Sequence, residues 1–145
     1  MKVCFVSIAL LSGASLMGAD LKDVAYVPAA KVDAALANKA DIYLVKADNL
    51  AVEGNYRDKP GTVEVHEKLT DIFYITTGEA TFVAGGKLEG GAATTPGQIR
   101  GGTITGGTTY HLVKGDVIVI PAGIPHWFKE VPAAVSYYVV KVPKL

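Results

Sequence analysis

From residue 41 onward the chain is a series of short apolar stretches separated by Gly, Pro or Asp, and this punctuation constrains the fold more than any other feature. The stretches are rich in β-branched and aromatic residues, which is typical of β-strands. They are DIYLVKA, LAVEGNY, TVEVHEK, DIFYITT, EATFVAG, TTYHLVK, DVIVIPA, HWFKEV and AVSYYVVKV. Because each short strand has one face to bury, this regularity predicts an all-β sandwich or barrel.

Residues 1–19 have a different character. They begin with Met and Lys, continue with the apolar run VCFVSIALL and end in the small-residue stretch SGASLMGA. This layout is typical of a secretory signal peptide, cleaved after Ala19 or alternatively after Ala14, and its apolar run is too short for a membrane span. A buried N-terminal strand or helix is the competing interpretation. The signal layout predicts an exported protein, periplasmic or secreted.

Charge and cysteine content exclude several classes of function. The 145 residues include 14 basic and 14 acidic ones, without a long run of either sign, which argues against a nucleic-acid surface or a polybasic membrane patch. Cleavage after residue 19 would remove Lys2 and also Cys4, the single cysteine. The mature chain would then have neither disulfides nor thiolate metal ligands, and we expect it not to associate with membranes.

The remaining chain divides into two predicted parts. Residues 20–40 contain PAAKVDAALANK, which predicts a short helix because Val32, Ala35 and Leu36 share one face. Residues 41–145 form the single predicted β-domain. Within it, nine of the 23 residues at 85–107 are Gly, and the apolar content is sparse, so we expect an insertion loop or a loosely paired hairpin on the surface.

The stretch TVEVHEK raises a question about its polar face. Glu64 and His66 are two residues apart and share one face of a strand, whereas Val63 and Val65 occupy the other. In a sandwich the valines would face the core and the polar pair would face solvent. In a small closed barrel the polar face can instead line an interior cavity. Alternation alone leaves both interpretations open.

A second stretch, GDVIVIPAGIPH, favours the barrel. Its fixed positions follow the spacing G-x5-P-x-G-x2-H and are Gly115, Pro121, Gly123 and His126. Here the sequence resembles the cupin superfamily, whose motifs are G-x5-HxH-x3,4-E-x6-G and G-x5-PxG-x2-H-x3-N. The first motif is matched in spacing by His66, Asp71 and Gly78. The resemblance covers roughly residues 41–145 and implies a double-stranded β-helix, a small jelly-roll barrel.

The resemblance also implies a metal site, although several positions depart from the family pattern. The implied ligands are Glu64, His66, Asp71 and His126. Glu64 replaces the first His of the motif, Asp71 its Glu, Asp58 its leading Gly and Glu130 the trailing Asn. Two imidazoles and two carboxylates suit a divalent ion such as Mn, Fe or Zn. Without Glu64, the other three would still form a two-His, one-carboxylate set with open positions.

The functional alternatives follow from the role of Glu64, which is a ligand, a general base beside the metal, or a solvent-facing residue. The first hypothesis is a metal-dependent enzyme acting on a small organic molecule, of dioxygenase, decarboxylase, isomerase or lyase type. The second is a non-catalytic barrel that binds a small molecule or a metal, and the third is a barrel without metal. The further candidates to line the cavity are Tyr56, Arg57, Phe73 and Trp127, while His111 matches no motif position and is interpreted as a surface residue. Pairing through edge strands would give a homodimer.

Overall fold

A computed structural model describes residues 20–144, which form one helix and twelve strands. The signal peptide predicted at residues 1–19 lies outside this part of the chain. The elements are α1 Ala29–Ala37, β1 Ile42–Lys46, β2 Ala51–Arg57, β3 Glu64–His66, β4 Leu69–Ala84, β5 Lys87–Glu89, β6 Ala92–Thr95, β7 Gln98–Arg100, β8 Thr103–Thr105, β9 Thr108–Val113, β10 Val117–Ile120, β11 His126–Glu130 and β12 Val135–Pro143. Within residues 20–144, no helix is both long enough and apolar enough to cross a membrane.

The short helix predicted in residues 20–40 is confirmed. Pro28 stands immediately before it, where the missing N–H of proline costs nothing. Ala35 is buried, and Leu36 packs on Gly54 of β2, where a Cβ atom would lie 3.2 Å from the Leu36 Cδ2. The helix therefore covers the outer side of β1 and β2.

Ten of the twelve strands form two antiparallel sheets that share β4. The first sheet has the order β1, β2, β12, β4 and β10, and the second has the order β9, β4, β11, β3, β7 and β6. DIFYITT and the first six residues of EATFVAG lie in β4, a single 16-residue strand, and not in the two separate strands that the sequence predicts. Gly78, at φ 77°, bends β4 where it passes from one sheet to the other. The predicted all-β fold is confirmed, as a curled antiparallel double sheet.

The main core lies between the sheets and is built from aromatic and β-branched side chains. Its buried members are Phe73, Ile75, Ala80, Phe82, Leu112, Ile120, Phe128, Val131, Val135, Tyr137 and Val139. Phe73, Phe82 and Phe128 contact one another at centroid distances of 4.8 to 5.9 Å, which fixes the strands that carry them.

The Gly-rich segment at 85–107 is organised into short strands. β5 pairs with β8, and β6 pairs with β7. β7 also pairs with β3, so β6 and β7 extend the second sheet, whereas β5 and β8 form a two-stranded sheet of their own. Most of its side chains are exposed, in agreement with its sparse apolar content. The segment thus brings residues of β6 and β7 to the side of β3.

Candidate metal centre

The centre is built on β3, which lies between β11 and β7. His126 of β11 stands directly opposite Glu64, and Arg100 of β7 stands opposite the same glutamate. His66 stands opposite Gln98 of β7. Directly opposed residues on antiparallel strands have neighbouring side chains, so the strand register alone brings these five side chains together.

Both faces of β3 are buried, which answers the question raised by its sequence. Val63 and Val65 are 4% and 5% exposed, and His66 on the opposite face is 6% exposed. Glu64 and His66 line an interior cavity of about 460 Å³. The cavity interpretation of TVEVHEK therefore holds, and the solvent-facing one does not.

Three of the four predicted ligands form one group. The donor atoms of Glu64, His66 and His126 all lie within 4.8 Å of one another. The two imidazole centroids are 5.2 Å apart, and the His66 Nε2 is 3.6 Å from the Glu64 Oε2. Arg100 holds the other oxygen of the carboxylate, with 2.5 Å between its Nη1 and the Glu64 Oε1. This chain thus contains a His/Glu group that can hold a metal ion.

Both imidazoles are oriented by hydrogen bonds at their Nδ1 atoms. The His66 Nδ1 lies 2.5 Å from the Gln98 Oε1, and the His126 Nδ1 lies 3.0 Å from the carbonyl oxygen of Ile124. Because these oxygens only accept, the Nδ1 atoms donate, and the Nε2 is the nitrogen that each ring, when neutral, offers to a metal ion. Burial lowers the pKa of His126, which favours the neutral ring that a metal requires. This donor arrangement fits a divalent ion.

Asp71, the fourth predicted ligand, lies beside this group and not within it. Its carboxylate is 1% exposed, with the Oδ2 at 3.2 Å from the His66 Nε2 and at 2.9 Å from the Lys141 Nζ. Lys141 stands directly opposite Asp71 in the pairing of β12 with β4. Burial raises the pKa of Asp71, but hydrogen bonds and charge from His66 and Lys141 outweigh burial, so the pKa is lowered overall. Asp71 is therefore held as a carboxylate, in part by a lysine that is itself partly buried.

Three residues of the centre were not predicted from the sequence. Gln98 and Arg100 lie in the Gly-rich segment, and they alternate on one face of β7, but nothing in the sequence identifies β3 as their partner. Lys141 could have been identified from the sequence. It is the one lysine in the largely apolar run VSYYVVKVP, and it lies on the same face as the buried Tyr137 and Val139. A charged residue on the inner face of an apolar strand is expected to have a buried partner.

The cavity wall also includes several of the side chains expected there. Arg57, Phe73 and Trp127 line the cavity, as predicted. Tyr56 is not part of the lining within residues 20–144, because it alternates with Arg57 along β2 and faces outward. His111 is exposed on β9, where its Nε2 lies 3.4 Å from the Glu79 Oε2, outside the centre.

The structure therefore defines a double-stranded β-helix with a His/Glu group facing its interior. By sequence, residues 37–144 match the Cupin family, and the chain belongs to this family. The search of curated proteins gave no match.

Solved structures show the same fold at low sequence identity. The protein BH2720 from Bacillus halodurans has a TM-score of 0.61 and 17% identity, and the match covers 88% of this chain and 87% of that one. The cupin domain of Cnp3 from Schizosaccharomyces pombe has a TM-score of 0.53 and 16% identity, with coverage of 72% and 60%. A cupin protein from Bacteroides fragilis has a TM-score of 0.51 and 13% identity, with coverage of 72% and 77%.

Proposed function

We propose that this cupin binds one divalent metal ion through Glu64, His66 and His126 and acts as a metal-dependent enzyme on a small organic molecule in the barrel cavity. The observation that carries the proposal is the orientation of the two imidazoles. Their Nδ1 atoms are bound by Gln98 and by a backbone carbonyl, which leaves both Nε2 atoms beside the Glu64 carboxylate. A mixed nitrogen and oxygen set of this kind suits Mn, Fe or Zn.

The residues around the metal group have separate roles in the proposed chemistry. A bound divalent ion supplies Lewis acidity toward an oxygen of the substrate. Arg100 holds Glu64 in position, and the Lys141 ammonium keeps Asp71 ionised next to His66. The Asp71 Oδ1 is buried and has no hydrogen-bond partner within residues 20–144, so one acceptor of this carboxylate is unused. The metal-dependent dioxygenase, decarboxylase, isomerase and lyase reactions all need an open coordination position on the ion.

Metal analysis tests the site directly. We expect about one divalent ion per chain in protein purified without chelators. The double variant His66→Ala with His126→Ala should lose the ion, because two of three donors are removed. The matched control is His111→Ala, which removes the exposed histidine of β9 and should keep the ion. A parent protein that takes up no ion from Mn, Fe or Zn solutions would contradict the proposal.

Turnover by Glu64→Gln separates an enzyme from a binding barrel. If Glu64 also serves as a base, this variant keeps part of its metal but loses activity on a panel of acids, phenols and sugars. The ion pair between Arg100 and Glu64 engages one oxygen of the Glu64 carboxylate, which leaves Glu64 less able to act as a base. This contact favours the second candidate, a barrel that binds without turnover. Loaded parent protein that converts none of the panel would support that second candidate.

Export is part of the proposal and has its own test. The layout of residues 1–19 supports it, with a basic start, a short apolar run and small residues before Asp20. N-terminal sequencing of protein recovered from the periplasm or the medium should begin at Asp20 or Ser15. Recovery of the chain only in the cytoplasm, with Met1 or Lys2 at its start, would refute export. The homodimer expected from edge-strand pairing stays a prediction.

A further inference from the structure

A second polar wall of the cavity lies on β2, apart from the strands that carry the metal group. Glu53, Asn55 and Arg57 alternate along this strand and all line the cavity. Glu53 and Asn55 are each 9% exposed. None of the three belongs to the His/Glu group of β3 and β11. Since buried polar side chains are costly unless they bind a partner, this wall needs a separate explanation.

The guanidinium of Arg57 is held in place on several sides. It lies 5.2 Å from the centroid of the Phe128 ring, and its charge opposes the burial that raises the pKa of the neighbouring Tyr137 to about 12. Gly61 gives it room, because a Cβ on this glycine would come within 2.9 Å of the Arg57 Nη1. A guanidinium that packs on an aromatic ring and is confined by its neighbours loses little conformational entropy when it binds a carboxylate.

Two hydrogen-bonding atoms of this wall have no partner within residues 20–144. The Arg57 Nε is a buried donor, and the Asn55 Oδ1 is a buried acceptor. Almost all such atoms in proteins are satisfied by protein, solvent or ligand. A molecule that satisfies both needs an acceptor for Arg57 and a donor for Asn55.

With a divalent ion bound, the balance of charge in the cavity also favours an anion. Four carboxylates line it, from Asp41, Glu53, Glu64 and Asp71, against the three basic side chains Arg57, Arg100 and Lys141. The lining is therefore one charge negative by itself and one charge positive when a divalent ion is bound. Phe73, Trp127 and Tyr137 supply aromatic surface for an apolar portion. The volume of about 460 Å³ is within the range of small-molecule sites.

We propose that the cavity binds a small hydroxycarboxylic acid, whose carboxylate is bound by Arg57 and whose hydroxyl donates to Asn55. This inference rests on the proposed function, because it takes the cavity to be the active site. It adds the class of substrate. Arg57 is the residue that determines specificity for the acid, and Gly61 positions it.

The test compares matched acids and amides. Mandelate and lactate, with mandelamide and lactamide as neutral counterparts, are titrated into metal-loaded protein by calorimetry. Since a charge-assisted pair is stronger than a neutral hydrogen bond, we expect each acid to bind at least about 10-fold more tightly than its amide. Arg57→Gln should weaken the acids by at least about 10-fold and leave the amides almost unchanged. Gly61→Ala, which displaces the guanidinium, should act in the same direction.

Lys129→Gln is the matched control, because Lys129 is an exposed cation on β11 outside the cavity. It should leave every affinity unchanged. The inference is overturned if the acids bind the parent no better than the amides, if neither acid binds, or if a folded Arg57→Gln or Gly61→Ala protein binds them like the parent. If Arg57→Gln does not fold, the affinities of Gly61→Ala and Arg57→Lys for the acids and amides are compared with the parent in its place.

Metal content and acid binding are measured on the same samples, so the two proposals fail separately. A parent without metal that still prefers mandelate over mandelamide contradicts the metal proposal alone. A loaded parent without that preference contradicts the acid proposal alone.

Discussion

At the scale of single residues, the centre depends on groups that never need to touch the metal. The His66 ring is directed by Gln98, the Glu64 carboxylate by Arg100 and the Asp71 carboxylate by Lys141. All three partners stand directly across a strand pair from the residue they direct. Such outer partners fix ring orientation and ligand basicity, so they contribute to metal affinity.

Gln98 provides the clearest case. Gln98→Leu removes the acceptor for the His66 Nδ1–H while leaving the imidazole itself in place. We expect metal affinity to fall about 10- to 100-fold, with the stoichiometry at saturating metal unchanged. Gln98→Glu keeps an acceptor at this position and should retain the affinity of the parent. Competition titration with a chromogenic chelator measures both variants, and equal affinities of Gln98→Leu and the parent would contradict the assigned role.

At the scale of elements, the bend of β4 joins the two sheets. The first half of the strand pairs with β12 and β10, and the second half pairs with β9 and β11. Gly78 stands at the junction with a positive φ of 77°. The glycine that ends the first cupin-like motif is therefore required by the backbone, whereas His66 and Asp71 of the same motif belong to the centre.

Replacement of Gly78 by Ala should be strongly destabilising. A Cβ here would lie 1.9 Å from the carbonyl oxygen of Ala134, and the positive φ adds strain. We expect a loss of roughly 3 kcal/mol or more in the free energy of unfolding. Gly85→Ala is the matched control, since its φ is 81° but no atom lies within 4 Å of the added Cβ. It should cost only about 1 to 2 kcal/mol. Urea denaturation measures both, and equal losses would show that the contact with Ala134 has no effect.

Sequence patterns predicted those parts of the fold that depend on local periodicity and on motif spacing. The apolar stretches predicted most strands, and the Pro-x-Gly-x2-His spacing identified His126. The pairing of β7 with β3 could not be predicted, because it depends on register between strands about 30 residues apart in a segment with little apolar patterning. For the same reason Gln98 and Arg100 were missed. Asp71 was found by spacing, but its bond to Lys141 depends on the pairing of β4 with β12, which joins two residues 70 positions apart in the sequence.

At the scale of the whole molecule, the centre places polar and titratable groups inside the barrel. His126 is 4% exposed and packs against Phe73 and Phe82, at centroid distances of 6.3 and 6.0 Å. A neutral imidazole is tolerated there, and a metal ion would use its lone pair. A proton on the same ring introduces a charge among aromatic side chains. The stability of the whole barrel is thereby linked to pH when no metal is bound.

The metal-free barrel should lose stability as pH falls below neutrality. Burial lowers the pKa of His126 in the folded protein, and the neighbouring His66 lowers it further, although Ile124, Asp71 and Glu64 act in the opposite direction. Between the folded pKa and the ordinary value of about 6.5, the unfolded chain therefore binds more protons, so the free energy of unfolding decreases as pH falls through this window. Chelator-treated protein, unfolded in urea at a series of pH values, should show this decrease.

The histidine variants assign the effect to one ring. His126→Gln should flatten the pH dependence, while His66, Glu64 and Asp71, which face His126 across the cavity, remain present in both proteins. His111→Gln, which removes the exposed histidine beside Glu79, should keep the slope of the parent. A parent and a His126→Gln variant with the same slope would show that the acid destabilisation does not originate in His126, because the substitution removes only the His126 titration.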